Sequence, residues 1–500
     1  MKALLVHPKC PEMTFWNMGG IIKKFTDKKA AHIPLGLLTI ASMLPKNWTL
    51  KLVDENVEEL TDENILWADI VLLGAMLIQK ERAQKIIAHC NKLGKKVVIG
   101  GPFFTTCDDE DLKGADYILQ GEVEDTIHIF LDDFERGVTK QIYPIPKKRP
   151  DITKTPIPMW ELINFDDYVT MAVQHSRGCP YDCEFCDIVT MYGKHPRVKK
   201  PEQMIAEFQS LYDADWRGPV FIVDDNFIGN KIKVKKMLRW LIDWQRRYGY
   251  PFHFVTQASI DIARDNELLE LMREVNFREV FIGIESVSIE SLEECGKFQN
   301  LNLGISFVDA IRKIQAYGIQ VMASLIIGFD HDPPDVAKKS INLIREIDVP
   351  TFQISRLSVL YKTRLYERLF KEGRIKGSAT GENTDGSTNI LYPKDIEERL
   401  NAAFNEIFTT IYSAPELYRR IWNLVKSLPP NTRGNVFRVS SAKTLLKSFW
   451  KIGILAKGRR FLFWKLIAKT LLFSWRNFPV LIKHFVFGEH LIEITERFRG

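Results

Sequence analysis

Three cysteines, Cys179, Cys183 and Cys186, fall in the segment Cys-Pro-Tyr-Asp-Cys-Glu-Phe-Cys, directly after the strand-like run Thr170–His175. A tight loop with this spacing can wrap one inorganic cluster, each thiolate taking one iron of a [4Fe–4S] cube. A cube has four irons, so three protein thiolates leave one iron open to bind something else. Zinc is the alternative, since paired cysteines also bind it tetrahedrally, although a fourth Cys or His at zinc-ribbon spacing is missing. The chain holds seven cysteines, an odd and scattered set that does not form a disulfide framework and fits a reducing, cytoplasmic compartment.

The rest of the chain divides around this loop. Over residues 1–140, short apolar runs (Ala3–Val6, Leu50–Val53, Ile70–Leu73, Val97–Ile99) alternate with amphipathic stretches, the rhythm of an open parallel α/β sheet of the Rossmann or flavodoxin kind. Ligands of such sheets sit beyond the carboxyl ends of the strands. Asp54, Asn56, Gly100, Gly101, Gly121 and Glu122 occupy those ends and are candidate ligand-facing residues; the glycines equally well close tight turns. A proline- and lysine-rich stretch predicts a linker over 141–165. From 166 to 375, six strand-like runs (Thr170–His175, Val220–Val223, Phe252–Thr256, Val280–Ile284, Val321–Ile327, Phe352–Ser355) alternate with helical stretches, predicting a partial (β/α)6 barrel. Residues 376–392 are rich in Gly, Ser, Thr and Asn and read as a long loop, a lid or a disordered segment; beyond them the pattern is helical to residue 500.

A Cys-x3-Cys-x2-Cys loop after the first strand of a partial barrel resembles the radical S-adenosylmethionine (SAM) superfamily. The resemblance implies that Cys179, Cys183 and Cys186 hold the cluster, that its open iron chelates SAM, and that SAM is cleaved to a hydrogen-abstracting 5′-deoxyadenosyl radical. It also implies that Phe185 packs near the adenine, that Asp224 and Asp225 in Val223-Asp-Asp-Asn226 face the SAM amino group, and that Gly283-Ile284-Glu285 presents a carboxylate to the ribose. For Glu285 an ion pair to Lys or Arg is the alternative, because a lone buried carboxylate costs several kcal/mol. Gly328, in Ile326-Ile-Gly-Phe329, would let adenine approach the backbone, while Tyr361 stands where many relatives have proline.

An open parallel domain ahead of such a barrel resembles the cobalamin-binding class, on Pro34-Leu-Gly-Leu37, Val53-Asp-Glu-Asn56, Gly100-Gly-Pro102 and Gly121-Glu-Val-Glu124. The cobalt-ligating Asp-x-His-x-x-Gly motif is absent; the corresponding stretch reads Asp54-Glu-Asn-Val-Glu-Glu59. In that class the chain is similar to the hopanoid C-2 methylase family, with likeness densest in Gly178–Pro201 and Val223–Asn230. The resemblance implies methyl transfer to an unactivated carbon of a lipid or other apolar molecule, or carbon–carbon coupling or cyclisation without methyl transfer, and a reductant such as flavodoxin or ferredoxin. The basic run Tyr192–Arg197 either covers the cluster and SAM carboxylate or is a solvated loop. Cys10, Cys90 and Cys107 lack the near-equal spacing of a methylthiotransferase's second cluster and read as ordinary thiols.

Charge is uneven. Residues 441–500 hold twelve Lys or Arg and three acidic residues, with eleven Phe or Trp, while the whole chain is only +6. That distribution argues against a nucleic-acid partner and places any electrostatic partner at the C-terminal end. Basic and aromatic residues so mixed either form an interfacial helix on the anionic inner face of the cell membrane or wall a hydrophobic pocket. No run approaches the ~18 apolar residues of a membrane span. A non-catalytic, metal-stapled scaffold is the reading from a different class.

Overall fold

The computed structural model describes residues 1–15, 17–430 and 439–496. Near the N-terminus lie β1 (Lys2–His7), β2 (Ala30–His32), β3 (Thr49–Asp54), β4 (Ile70–Gly74), β5 (Lys96–Gly100), β6 (Tyr117–Leu119) and β7 (Ile142–Tyr143). Six of these build one parallel sheet in the order β3-β1-β4-β5-β6-β7. Side chains alternate across its faces, as the pleat requires. Leu4 and Val6 join Val71, Leu73, Val97 and Ile99 against the helix Lys80–Lys92, whereas Ala3, Leu5, Leu72 and Val98 point the other way and merge with the core of the second sheet. Both faces are covered, which is why these strands read as unbroken apolar runs. The edge strand β7 lies in the stretch expected to be linker: Ile118 and Leu119 pair with Ile142 and Tyr143 there.

The second sheet is the partial barrel. It contains β8 (Tyr168–Val173), then, past a two-stranded ribbon of β9 (Ser176–Arg177) and β10 (Arg197–Val198), β11 (Pro219–Ile222), β12 (His253–Gln257), β13 (Phe277–Glu285), β14 (Gln320–Ile327) and β15 (Phe352–Arg356). The strand order is β15-β14-β13-β12-β11-β8-β2, so the six expected strands gain a seventh. That seventh, β2, comes from the N-terminal region, with Ala30 opposite Tyr168 and His32 opposite Thr170. At three residues it is too short to announce itself by periodicity.

A buried hydrogen bond ties the two sheets together. Tyr168 Oη donates to Asp54 Oδ2 over 3.0 Å, while the backbone and side-chain amides of Asn56 occupy Oδ1. At the far end of the chain, the helix Phe478–Thr495 is buried along much of its length. Its Phe485 packs on Tyr418, and His490 Nε2 donates to the Thr14 carbonyl over 2.7 Å. The tail aromatics therefore divide: Phe463 and Phe485 are buried, whereas Phe461, Trp475 and others face outward. Arg497, Phe498 and Arg499 lie outside the described residues. No described helix is long and apolar enough to cross a membrane.

Tyr168→Phe leaves one oxygen of the buried Asp54 carboxylate without its donor, which costs about 1–3 kcal/mol. We expect a lower thermal midpoint by calorimetry with far-UV circular dichroism unchanged; an unchanged midpoint would show that the bond does not hold the sheets.

Candidate active site

The cysteine loop hangs from the β9–β10 ribbon. Gly178 opens it at φ +97°, and a Cβ there would lie 2.8 Å from the Gly193 carbonyl, so only glycine fits. The loop is then clamped from outside. Glu184 N donates to the Cys295 carbonyl over 2.8 Å, the Glu184 carboxylate accepts from Arg368 at 2.8 and 3.1 Å, and Leu365 N donates to the Glu184 carbonyl. Two amide donors approach the sulfurs, Asn226 Nδ2 to Cys179 and Gln299 Nε2 to Cys183, each at 3.8 Å. Burial pushes the Cys179 and Cys186 thiols up. Cluster assembly must therefore displace protons that the fold holds on the sulfurs.

Glu285 ends β13 at φ +68°, where the register with β14 shifts between Gly283 and Glu285. Such a bulge re-aims a side chain. The ion pair left open by the sequence is present: Lys297 Nζ lies 2.7 Å from Oε1, and Ser324 Oγ donates to Oε2 over 3.1 Å. A Cβ on Gly283 would collide with Oε1, so this glycine makes the room for the pair. Burial works against the Lys297 ammonium, but Glu285, aided by Cys183, outweighs it and holds the lysine above its ordinary range. The Lys297 ammonium thus stays charged beside the cysteine loop, balanced by the Glu285 carboxylate. Each carboxylate oxygen keeps acceptor capacity for a ribose hydroxyl. Phe185 packs on Phe329 with ring centroids 6.2 Å apart. Gly328, at φ +110°, lies against Tyr392, whose hydroxyl donates to its carbonyl over 2.6 Å.

Several expected site residues are engaged by partners within the protein. Asp224 is fully buried and accepts from His175 N and Ser176 Oγ at 2.7 and 2.6 Å, bracing the loop entrance instead of facing a ligand. Asp54 is spent on Tyr168 and Asn56, as described above. Glu122 is bonded to Arg177 and Arg197 at 3.0 and 2.7 Å, and Glu124 to Arg177 at 2.6 Å. In the basic run, Lys194 pairs with Asp182 at 2.7 Å and Arg197 with Glu122, so neither is a free cation. The sequence reading missed Lys297 and Gln299, at the start of the helix Phe298–Leu301, and Ser324 of β14, which reach Glu285 and Cys183 only in the fold.

Between the two sheets lies a cavity of about 1220 Å³, above the roughly 300–1,000 Å³ of ordinary small-molecule sites. One wall is formed by the carboxyl ends of the N-terminal strands at Gly74, Gly100, Gly101 and Gly121, with Asn56 and Glu122 beside them. Gly101 and Gly121 adopt φ of +91° and +78°, and none of these glycines puts a side chain into the space. The opposite wall is the barrel face at Ala172, Phe221 and Asp225, with Asp187 and Tyr192 from just beyond the cysteines. The long loop of residues 376–392 closes another side. A Cβ on its Gly381 would lie 2.7 Å from Ile78 N, and Asn389 exchanges hydrogen bonds of 2.8 and 3.0 Å with the Val359 backbone. Cys10 and Cys107 also line the cavity, whereas Cys90 sits in the core beneath the N-terminal sheet. No described residue of the C-terminal tail lines it, so the described tail aromatics do not wall this pocket.

Two predictions follow from this geometry. Cys183→Ala should lower bound iron after anaerobic reconstitution, whereas Gln299→Ala should keep the iron and shift the reduction potential of the cluster; a shared loss of iron would make Gln299 a ligand-positioning residue. Burial, together with Asp224 and Asp187, pushes the Asp225 carboxyl up to about 7. Its folded pKa lies above the unfolded one, so its contribution to stability is complete at acid pH and is lost as pH rises through about 7. Asp225→Asn in the cluster-free protein should flatten the fall in thermal midpoint between the ordinary carboxylate range and neutrality; identical slopes would refute the assignment.

Comparison with known proteins agrees with this geometry. The radical SAM superfamily matches residues 173–344, and a domain of unknown function (DUF4070) matches residues 363–500. An uncharacterised methyltransferase of Synechocystis sp. is 37% identical over 99% of this chain and 92% of its own length. The hopanoid C-2 methylase of Rhodopseudomonas palustris is 33% identical over 93% of this chain and 88% of its own. The structure of the cobalamin-dependent S-adenosylmethionine radical enzyme OxsB with aqua-cobalamin bound has the same fold, with a TM-score of 0.62 at 14% identity, covering 99% of this chain and 80% of that one. The cysteine loop, the barrel that carries it and a third of all residues held in common along nearly the full length lead to one conclusion: the chain belongs to the radical SAM methyltransferases, in the family of hopanoid C-2 methylase.

Proposed function

We propose that this enzyme uses a [4Fe–4S] cluster, SAM and cobalamin to methylate an unactivated carbon of a lipid or other apolar molecule. The observation that carries the reading is the cavity. It is large and mostly apolar, it is walled on one side by the side-chain-free strand ends of an α/β domain, and its other side carries residues of the cysteine loop. A flat cofactor needs a floor clear of side chains, which Gly74, Gly100, Gly101 and Gly121 supply. An apolar substrate needs a dry wall, which Ala172 and Phe221 begin. The name of the R. palustris relative supports a lipid as the substrate class.

In this reading Cys179, Cys183 and Cys186 hold the cluster, and Asn226 and Gln299 donate toward the Sγ atoms of Cys179 and Cys183. Glu285 takes the ribose hydroxyls of SAM while Lys297 and Ser324 keep its carboxylate in place. Phe185 and Phe329 flank the adenine, whereas the Gly328 backbone is already engaged by Tyr392 and Asp332 and is not open to it as the sequence suggests. Asn56 and Glu122 edge the cobalamin floor. When bound, SAM and the cluster supply a radical that removes hydrogen from carbon, and cobalamin supplies the methyl group. The protein supplies position and the exclusion of water, for which the closed loop of residues 376–392 and the apolar walls are suited. Electrons come from a flavodoxin- or ferredoxin-like reductant at a cytoplasmic site.

The test is anaerobic turnover of the reconstituted enzyme with methyl-deuterated SAM, cobalamin and a bacterial lipid extract, read by mass spectrometry. A lipid that gains a labelled methyl group, with release of 5′-deoxyadenosine, is the expected result. A product that loses hydrogens without gaining label would replace methylation with coupling or cyclisation, and absence of 5′-deoxyadenosine would overturn the radical chemistry.

A further inference from the structure

The helix Arg460–Phe473 is apolar on both sides. Its inner side, with Phe463, Leu466 and Ile467, is buried in the core. Its outer side repeats the same chemistry in water: Phe461, Trp464, Ala468, Leu471 and Leu472 recur at the three- and four-residue intervals of one helical stripe, about 17 Å long at 1.5 Å per residue. The exposures are large: Phe461 77%, Leu472 76%, Phe473 74% and Trp475 65%. The preceding turn adds Trp450, Ile454 and Leu455, all exposed. Soluble proteins seldom leave such a contiguous apolar face uncovered, and one that is exposed and rimmed by polar residues marks an interaction site.

The charges around the face identify what fits it. No acidic residue occurs between positions 439 and 488. Some cations of this region are used internally: Lys443 and Lys447 pair with Asp27, Arg459 with Glu489, and Lys483 with Glu279. Lys457, Arg460, Lys465 and Arg476 are exposed instead. Two of them lie over aromatic rings of the same face, Arg460 over Phe461 at 5.1 Å and Arg476 over Trp475 at 5.5 Å. A second copy of this chain would bring like charges together. An anionic lipid surface would take the apolar stripe into the acyl boundary and leave the basic rim among its headgroups, with tryptophans near the interface.

The geometry points to this face as a docking surface for an anionic bilayer, on which the enzyme lies without spanning it. Such docking suits the proposed apolar substrate but does not depend on it, because it is measured without turnover.

The test is co-sedimentation of the full chain with phosphatidylcholine vesicles that contain or lack phosphatidylglycerol. We expect binding that needs phosphatidylglycerol and weakens with salt. Leu472→Ser, Phe473→Ser and Trp475→Ser together should weaken it about tenfold or more, since three apolar side chains no longer insert. Release of 5′-deoxyadenosine from SAM by that variant should equal the parent's, which shows that it is folded and keeps a vesicle result separate from any failure of the methylation reading. A Lys457→Gln, Arg460→Gln variant should lose the phosphatidylglycerol dependence first. No binding by the parent chain, equal binding by parent and triple variant, or a parent dimer in light scattering that the triple variant abolishes would overturn the proposal, the last assigning the face to self-association.

Discussion

Arg177 stands at the point where the two sheets and the cysteine loop meet, and its charge is almost withdrawn from water. It lies one residue before Gly178, and its guanidinium reaches two carboxylates from the N-terminal sheet, Glu122 and Glu124, while Arg197 from the returning strand takes the other oxygen of Glu122. Thr155 Oγ1 adds a 3.0 Å hydrogen bond to Glu124. Burial alone would raise the Glu124 carboxyl, yet Arg177 holds it below the ordinary range. Removing one partner of a buried set of this kind strands a charge and typically costs about 3–5 kcal/mol. The site is thus built around a cross-brace: the loop that holds the thiols and the strand ends that floor the cavity are fixed by the same four charged side chains.

The cysteine loop, the alternation of the first sheet and six barrel strands are legible in the sequence because each follows from a local pattern, whether thiol spacing, paired apolar faces or strand–helix rhythm. The helices follow for the same reason; in Val336–Ile347, for example, Ala337, Ile341, Ile344 and Ile347 recur at three- and four-residue intervals and are the buried side. What the sequence hides is long-range. β2 is three residues long and finds its partner more than a hundred positions away. Lys297 and Ser324 reach Glu285 from different segments, and no spacing rule joins them. Asp224 and Asp225 are adjacent and chemically identical, yet one is consumed by backbone and hydroxyl donors while the other lines the cavity. Both lie past the end of β11, where no strand period applies, and only the fold shows which of them faces the cavity. The tail was half legible: its composition marked it as unusual, but which aromatics turn inward depends on the packing of the helix Phe478–Thr495 against Tyr418 and Phe463.

At Glu285 a structural ion pair leaves acceptor capacity on the carboxylate. Its left-handed backbone and the register shift beside it carry a cost of about 1–3 kcal/mol for a non-glycine residue. The compensation lies in the Lys297 ion pair and the Ser324 hydroxyl, which hold the carboxylate in one orientation. A carboxylate fixed in this way loses little further freedom when it meets a ligand.

The strand exchange at β2 bears on how a protein like this can be taken apart. A cofactor-binding unit that is interchangeable between enzymes would need a seam where few contacts cross, and such seams usually fall in exposed linkers. Here the proline-rich stretch that looks like that seam carries an edge strand of the first sheet, while Ala30–His32, well inside the first unit, is woven into the second. Cutting the chain near residue 140 would strip one sheet of β7 and leave the other without β2. Neither half keeps its sheet whole without the other, and a transplanted N-terminal unit would bring its neighbour's outermost strand with it.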